Sequence, residues 1–405
     1  MSSPFRTIQG SVTAPPGFRA GSIAAGIKSD PGLRDVAMLA SETLCTVAGT
    51  FTTSRAPAAP VLVCKEHLLA SGGHAQAVVM NSGNANCSNG ERGLSDARHM
   101  AELAAQKLGI KPEHVMVSST GVIGRPLPMD KIERGIANVE LAADGGHLFT
   151  LGIMTTDTRP KEIALEFELG DKTVRLGGAT KGVGMIYPNM ATMLCYLTTD
   201  VALDPTYQQD VLRRAVNDSF NMICVDGDMS TNDTCLLFAN GLAGNEPLTA
   251  DSPGAGIFEA ALRHVTRYLC REMARDGEGA TKLMEVVVNG ARTDADARLA
   301  ARALTRSPIW RCAVYGEDAN WGRVISTLGA CGAEMIHDRL DVTFDNVPVV
   351  RAGVAADFKP EDAKAVLGKA EFTLTVDLHV GFYSATAWGC DMTHGYIDEN
   401  ATYHR

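Results

Sequence analysis

A chain of 405 residues with 45% hydrophobic and 21% charged residues is long enough for two or three cores and has the make-up of a globular protein. Forty-seven acidic residues outweigh 37 basic ones, for a formal net charge of −10. That balance disfavours a nucleic-acid groove or attraction to anionic lipid, since both need clustered positive charge. No apolar run approaches the roughly 20 residues that span a bilayer, so neither nucleic acid nor membrane is an expected partner.

The first acid is Asp30, and Arg6, Arg19 and Lys28 precede it; alone, this pattern resembles an organelle address. Ala77-Val-Val-Met80 is a short apolar run suited to a buried strand. Ser95 to Leu108 predicts a helix capped by Ser95 and stopped by Gly109, with Met100, Leu103, Ala104 and Leu108 on one face. Ile163, Leu165, Phe167 and Leu169 alternate with polar or small residues, which predicts a half-buried strand. Asp204-Pro205 supplies an N-cap and a proline at the first helical position, with Tyr207, Val211, Leu212 and Ala215 along one side. Leu248 to Gly254 is rich in turn residues and is the best linker candidate. Ile257 to Met273 predicts a long helix with Ile257, Ala261, Leu262, Val265 and Leu269 inward. Val286-Val-Val288 reads as a buried strand. A further helix begins near Thr293 and runs to Leu304, and Phe372, Leu374, Val376 and Leu378 alternate as a strand. The mixture predicts an α/β (α+β) fold.

Ten cysteines are scattered without a CxxC pair. Cys64 and His67 have a metal-compatible spacing, but no second pair accompanies them, so both read as structural. A core this large needs no disulfide framework, and a reducing cytoplasm is expected. Gly177 to Gly184 lacks the Gly-Lys-Ser/Thr ending of a phosphate loop. Val225-Asp-Gly-Asp228 lacks the further ligands of a calcium loop and reads as support for a nearby site.

The most informative segment is Lys181-Gly-Val-Gly-Met-Ile-Tyr-Pro-Asn-Met-Ala-Thr-Met-Leu-Cys195. It sets a small residue, Ala191, directly before Thr192. A threonine hydroxyl is a weak nucleophile unless a base is held beside it, and its own α-amine, with a pKa of about 7.7–8.0, is the nearest base available. That amine exists only if the Ala191–Thr192 bond is cut. An isolated Ala-Thr pair reads far more readily as a buried strand after a glycine turn, with Thr192 packed in the core.

The whole string closely resembles the cleavage site of the ornithine acetyltransferase family, the bifunctional glutamate N-acetyltransferases. The resemblance extends through Val12-Thr-Ala-Pro-Pro-Gly-Phe-Arg19, Ala24-Ala-Gly-Ile-Lys28, Asn81-Ser-Gly-Asn-Ala-Asn86, Ser118-Ser-Thr-Gly-Val-Ile-Gly124 and Met154-Thr-Thr-Asp-Thr158. It continues in Cys224-Val-Asp-Gly-Asp-Met-Ser-Thr-Asn-Asp-Thr234, Asp276-Gly-Glu-Gly-Ala-Thr-Lys282, Asp318-Ala-Asn-Trp-Gly-Arg323 and Cys390-Asp-Met-Thr393. Family-like sequence begins near Gly10, which leaves little room for a separate presequence.

The resemblance implies a layered α-β-β-α sandwich like that of N-terminal-nucleophile enzymes, with a smaller C-terminal α/β domain. It implies self-cleavage into residues 1–191 and 192–405, with 192–280 completing the catalytic core and about 281–405 forming the smaller domain. Thr192 would be the nucleophile, and Thr120 with Gly121 the oxyanion hole. Thr155, Lys181, Thr192, Glu278 and Asn400 would contact substrate. Lys181 suits an α-carboxylate and Glu278 the side-chain ammonium of ornithine. The family usually ends in a hydroxyl residue where this chain has Arg405, so that contact is a departure. The implied reaction moves acetyl from N2-acetyl-ornithine to glutamate through an acetyl-Thr192 ester, with no cofactor or metal. Acetyl-CoA as a second donor stays open. The implied partners are these small molecules and the two fragments of the chain, as a dimer of processed heterodimers. The alternatives are an N-terminal-threonine aminopeptidase or amidase of related fold, and an uncleaved binding protein.

Overall fold

The computed structural model describes residues 4–187 and 193–401. The chain divides into two compact units: Met1–Gly182, Asn189–Asn217 and Met229–Leu269 form the first, and Val183–Pro188, Asp218–Asp228 and Cys270–Arg405 the second. The first unit begins with β1 (Phe5–Ile8), β2 (Phe18–Ile23), β3 (Val36–Phe51), α1 (Ala59–Ala70), β4 (His74–Asn84), α2 (Gly90–Leu108), β5 (Val115–Val122), α3 (Met129–Asn138) and α4 (Gly146–Ile153). It continues through β6 (Lys161–Leu169), β7 (Lys172–Lys181), β8 (Leu194–Thr199) and α5 (Pro205–Asn217). After β9 (Ile223–Cys224) of the second unit, the chain returns to the first for β10 (Thr234–Ala239) and the start of α6 (Ala255–Arg275). The second unit then adds β11 (Leu283–Ala291), α7 (Asp294–Arg306), α8 (Pro308–Tyr315), α9 (Trp321–Ala330), β12 (Asp341–Phe344), β13 (Val347–Arg351), β14 (Val354–Ala355), α10 (Pro360–Leu367), β15 (Glu371–Asp377), β16 (Tyr383–Cys390) and α11 (His394–Ala401).

The fold is mixed α/β with two sheets. The first unit holds a nine-stranded sheet in the order β1-β6-β7-β8-β10-β3-β4-β5, with β2 also paired to β3. Most of its pairings are antiparallel, but β4 with β5 and β8 with β10 are parallel. Successive side chains on a strand point to opposite faces. Ala37 and Leu39 of β3, with Val78 and Met80 of β4, therefore join one core with Phe149, Tyr196 and Phe238. Val36, Met38, Ala77 and Val79 join another with Met100 and Ala104 of α2 and Ile132 of α3. Burial on both faces is why Ala77–Met80 is apolar throughout.

The second unit's sheet runs β14-β13-β12-β15-β11-β16-β9, and α7 packs on β11 and β16. Val286 and Val288 are buried while Val287 is half-buried, so this run alternates and is not uniformly covered as its composition suggests. The alternation predicted for Phe372, Leu374 and Val376 is present in β15.

Helix positions follow the periodicity more closely than helix starts do. Asp204 caps α5, its Oδ1 accepting from the amides of Thr206 and Tyr207 at 3.0 Å each. Thr293 caps α7 by accepting from the Asp296 amide at 3.1 Å. By contrast, α2 begins at Gly90, so Ser95 lies inside it, and its buried stripe runs through Ala97, Met100, Ala101 and Ala104; Leu103 and Leu108 are only half-buried. Small alanines let α2 approach the sheet closely, which outweighs the pull of the larger leucines. Ile257 lies at the start of α6 with 36% exposure and faces outward, whereas Ala261, Leu262, Val265 and Leu269 are buried. The turn-rich stretch Leu248–Gly254 falls inside the first unit, tied to it by a bridge between Leu248 and Leu203, and is not a boundary.

Candidate active site

Thr120 and Gly121 lie near the end of β5, opposite Gly83 and Asn84 of β4, where the ladder becomes irregular. Such irregularities re-aim side chains and end pairing. Gly121 has φ +128°, and a Cβ there would meet the Gly83 carbonyl carbon at 2.3 Å. The position therefore requires glycine, both for its conformation and for the close approach of two backbones. The carboxamide of Asn232 ties this end together by donating to the carbonyls of Ala85 (2.6 Å) and Ser119 (2.8 Å).

Lys181, the last residue of β7, is buried, and its Nζ donates to Thr120 Oγ1 at 3.3 Å. A hydroxyl that accepts from an ammonium keeps its own proton to donate elsewhere. Thr155 stands half-buried beside the same cluster, its amide donating to Asp157 Oδ2 at 2.9 Å. Asp157 is fully enclosed. Its Oδ1 accepts from Lys161 Nζ at 2.6 Å and from the Gly182 amide at 2.9 Å. Burial pushes its acidity toward the neutral form, but the Lys161 and Lys181 ammoniums and the amide donors outweigh this and hold the carboxyl well below the usual range. Lys28 donates from Nζ to the carbonyls of Arg34 and Met154 at 2.7 Å each, and desolvation lowers its pKa to about 8. Thr120 and Thr155 are thus linked in the first unit through Lys181 and a carboxylate, Asp157, that sequence reading did not single out. Its signal was present in the Met154–Thr158 motif with Lys161 four residues on, but no spacing pairs it with Lys28 or Lys181.

Glu278 and Asn400 belong to the second unit. Asn400, on α11, donates from Nδ2 to Glu278 Oε2 at 2.9 Å. The Glu278 amide donates to the Val183 carbonyl at 3.0 Å, and a Cβ on Gly184 would meet the Glu278 carboxylate at 2.4 Å. Only glycine at 184 lets that carboxylate lie against the backbone. In the same unit Asp226 accepts from the amides of Ile186 (2.9 Å) and Asp228 (3.1 Å), and burial raises its pKa to about 6. It holds the backbone at Ile186 and within its own Val225–Asp228 turn.

Ala191, Thr192 and Arg405 lie outside the described residues, as does the Thr402 that follows α11. Immediately after Thr192, the Met193 amide donates to Asp233 Oδ1 at 3.1 Å, and the Thr234 amide donates to the Met193 carbonyl at 3.0 Å. Asp233 is wholly buried, which pushes its pKa well up. Its other oxygen has no hydrogen-bond partner among the described residues. Asp233 was legible only as one of several polar residues in the Cys224–Thr234 motif. Among the described residues no group of three or more His, Cys, Asp or Glu is arranged to hold a metal, no helix is long and apolar enough to cross a membrane, and all ten cysteines are free thiols.

Comparison with known proteins agrees with the motif order. The chain is 50% identical over 399 residues to the arginine biosynthesis bifunctional protein ArgJ of Symbiobacterium thermophilum, covering 98% of this chain and 99% of that protein. The crystal structure of the bifunctional protein ArgJ from Bacillus halodurans aligns with a TM-score of 0.50 at 40% identity, over 51% of this chain and 97% of that one. A crystal structure described as ornithine acetyltransferase complexed with ornithine, from Mycobacterium tuberculosis, is 37% identical over 47% of this chain and all of that chain, with a TM-score of 0.43. The ArgJ family model matches residues 19–405, and with a half-identical relative aligned along almost its whole length, the chain belongs to the ArgJ family.

Proposed function

We propose that this enzyme, an acyltransferase of arginine biosynthesis like its family, transfers acetyl from N2-acetyl-ornithine to glutamate after cutting itself at Ala191–Thr192. The observation that supports this reading most is the buried Thr120 hydroxyl, held by Lys181 beside Gly121. A developing oxyanion needs donors in a low-dielectric site, and a hydroxyl whose lone pair is already engaged by a cation is ready to supply one.

The proposed sequence uses one site twice. Thr192 Oγ attacks the Ala191 carbonyl carbon, and the negative oxygen is met by the Thr120 hydroxyl and the Gly121 amide. Collapse breaks the peptide C–N bond as the Oγ proton passes to the departing nitrogen, which frees the Thr192 α-amine and leaves Ala191 as an ester on Oγ; water then hydrolyses that ester to the Ala191 carboxylate and the Thr192 hydroxyl. In each later turnover that amine accepts the Oγ proton as Oγ attacks the acetyl amide of N2-acetyl-ornithine. The proton passes to the departing ornithine amine, leaving an acetyl-Thr192 ester. Glutamate's α-amine attacks this ester and regenerates the hydroxyl. Lys181 would face an α-carboxylate, and Glu278, with Asn400, the ornithine ammonium. These steps require no resident metal or cofactor. Acetyl-CoA is a thioester and would acylate Thr192 by the same attack. A ping-pong pattern follows, because one product leaves before the second substrate enters.

The test is intact mass and N-terminal sequencing of purified protein, together with a transfer assay. Two fragments are expected, one beginning Thr-Met-Leu-Cys. A Thr192→Ala variant should remain a single inactive chain. Activity in preparations that stay uncut would overturn the mechanism, and hydrolysis of the acetyl amide without transfer to glutamate would favour an amidase.

A further inference from the structure

The second unit holds a cavity of about 460 Å³ between α7, the start of α8 and α9, and among the described residues none of the predicted site residues lines it. Its wall carries Arg302 and Arg306, Ser307, Ser326, Thr327 and Tyr187. Among the described residues no acidic side chain lines it, although the chain carries a formal net charge of −10. Arg302 and Arg306 are one turn apart on α7, a spacing at which like charges repel. Neither makes an ion pair among the described residues. Arg302 Nε is buried with no hydrogen-bond partner there. The Arg306 guanidinium carbon lies over the Tyr187 ring, 4.7 Å from its centroid, with Nη1 3.4 Å from the Tyr187 hydroxyl. It also passes beside Gly227, whose neighbours Asp226 and Asp228 form no ion pair with it. Asp226 is instead occupied by the Ile186 and Asp228 amides.

Arg306 is exposed and Arg302 half-buried, so water meets most of their charge, but the enclosed Arg302 Nε has a proton that an anion in the cavity could accept. The surrounding groups are suited to do more than balance charge. Thr327 Oγ1 lies 3.0 Å from Ser307 Oγ, placing two hydroxyls together at the N-terminal end of α8, where the helix dipole also favours negative charge. The Thr327 hydroxyl is already engaged by the Arg323 carbonyl at 2.8 Å, but the two guanidiniums and the Ser307 hydroxyl still offer more donors than one carboxylate accepts, which matches the several oxygens of a phosphate. The volume falls within the range of small-molecule sites.

We infer that this cavity is a phosphate-binding site for a ligand carrying a phosphomonoester or diphosphate, with Arg302 and Arg306 as the clamping residues. Two sources share that chemistry: the phosphorylated end of an acyl-CoA donor, and a free phosphorylated effector. Only the first rests on the acetyl-CoA use proposed above.

Calorimetric titration of the purified full-length enzyme with inorganic pyrophosphate, and separately with coenzyme A, tests the site directly. The paired substitution Arg302→Gln/Arg306→Gln should weaken pyrophosphate binding at least tenfold. Arg302→Lys/Arg306→Lys keeps the charge without the planar fork and should fall between. Thermal melting of each variant checks folding, and transfer from N2-acetyl-ornithine should be unchanged in all of them. A KM for acetyl-CoA that rises in the Gln pair would assign the site to the donor. Lost pyrophosphate binding with an unchanged acetyl-CoA KM would assign it to a free phosphorylated effector. If pyrophosphate and coenzyme A each bind the parent no better than a folded Gln pair, the site does not exist, whatever becomes of the threonine mechanism.

Discussion

At Thr120 the side chain has one strong acceptor interaction, from Lys181 Nζ at 3.3 Å, and a proton still to place. Replacing it with alanine removes one donor and leaves Gly121 in position, so Thr120→Ala should lower kcat by about 10²–10³, or about 2.7–4 kcal/mol of barrier, with little change in KM. Steady-state kinetics on the processed fraction would read this, and an unchanged kcat would remove Thr120 from the oxyanion site. Asp233 makes a prediction in acid–base terms. Burial raises its folded pKa well above the unfolded value of about 3.9, so the folded state keeps a proton that the unfolded state releases. Its contribution to stability is full below about pH 4 and is lost as pH climbs toward the folded pKa. A carboxamide in its place cannot ionise, so Asp233→Asn should gain on the parent as pH rises from about 4 to 7. Melting temperatures across that range decide it; a gap that ignores pH would show that Asp233 does not titrate in this way.

Elements were legible where a local device sets them. Asp204 and Thr293 sit at helix starts because their short side chains satisfy amides that no carbonyl of the helix reaches. Asp204→Ala should cost about 1 kcal/mol, seen as a lower denaturant midpoint with an unchanged slope. A midpoint within error of the parent would mean that Pro205 and packing hold α5 alone. Elsewhere the local pattern misled. Ser95 has the chemistry of a cap, but α2 already runs from Gly90, because contact with the sheet carries the helix past that signal. Val287 is half-exposed between buried neighbours because β11 is covered by α7 on one face, a fact three consecutive valines do not contain.

For the molecule as a whole, the proposed scission falls between two strands that remain paired. β7 and β8 are aligned from Lys181 opposite Leu194 to Leu176 opposite Thr199. β10, from the later fragment, pairs with β3 from Thr234 opposite Phe51 to Ala239 opposite Thr46. Tyr196, Leu236 and Phe238 bury themselves in the same core as Leu39 and Val78. Each such side chain contributes about 1.5–3 kcal/mol by leaving water. The two fragments should therefore co-elute on size exclusion and part only in denaturant. Their separation under native conditions would show that these seams do not hold the cut enzyme.

Residue order named the Ala191–Thr192 bond, the Thr120–Gly121 pair, Lys181 and Glu278 as candidates through motifs that resemble a family's, since each lies in a run of neighbours that can be matched without knowing the fold. Mixed α/β structure was likewise written in periods of two and 3.6 residues. Tertiary structure alone brought Lys28 and Lys181 toward Asp157, set Asp233 against Met193, and left Arg302 and Arg306 without ion pairs among the described residues. It also assigned Asp218–Asp228 to the second unit while the strands on either side of it joined the first. The reason is physical: charge compensation and burial depend on distances through space, and spacing along a chain constrains those distances only within a strand, a helix or a turn.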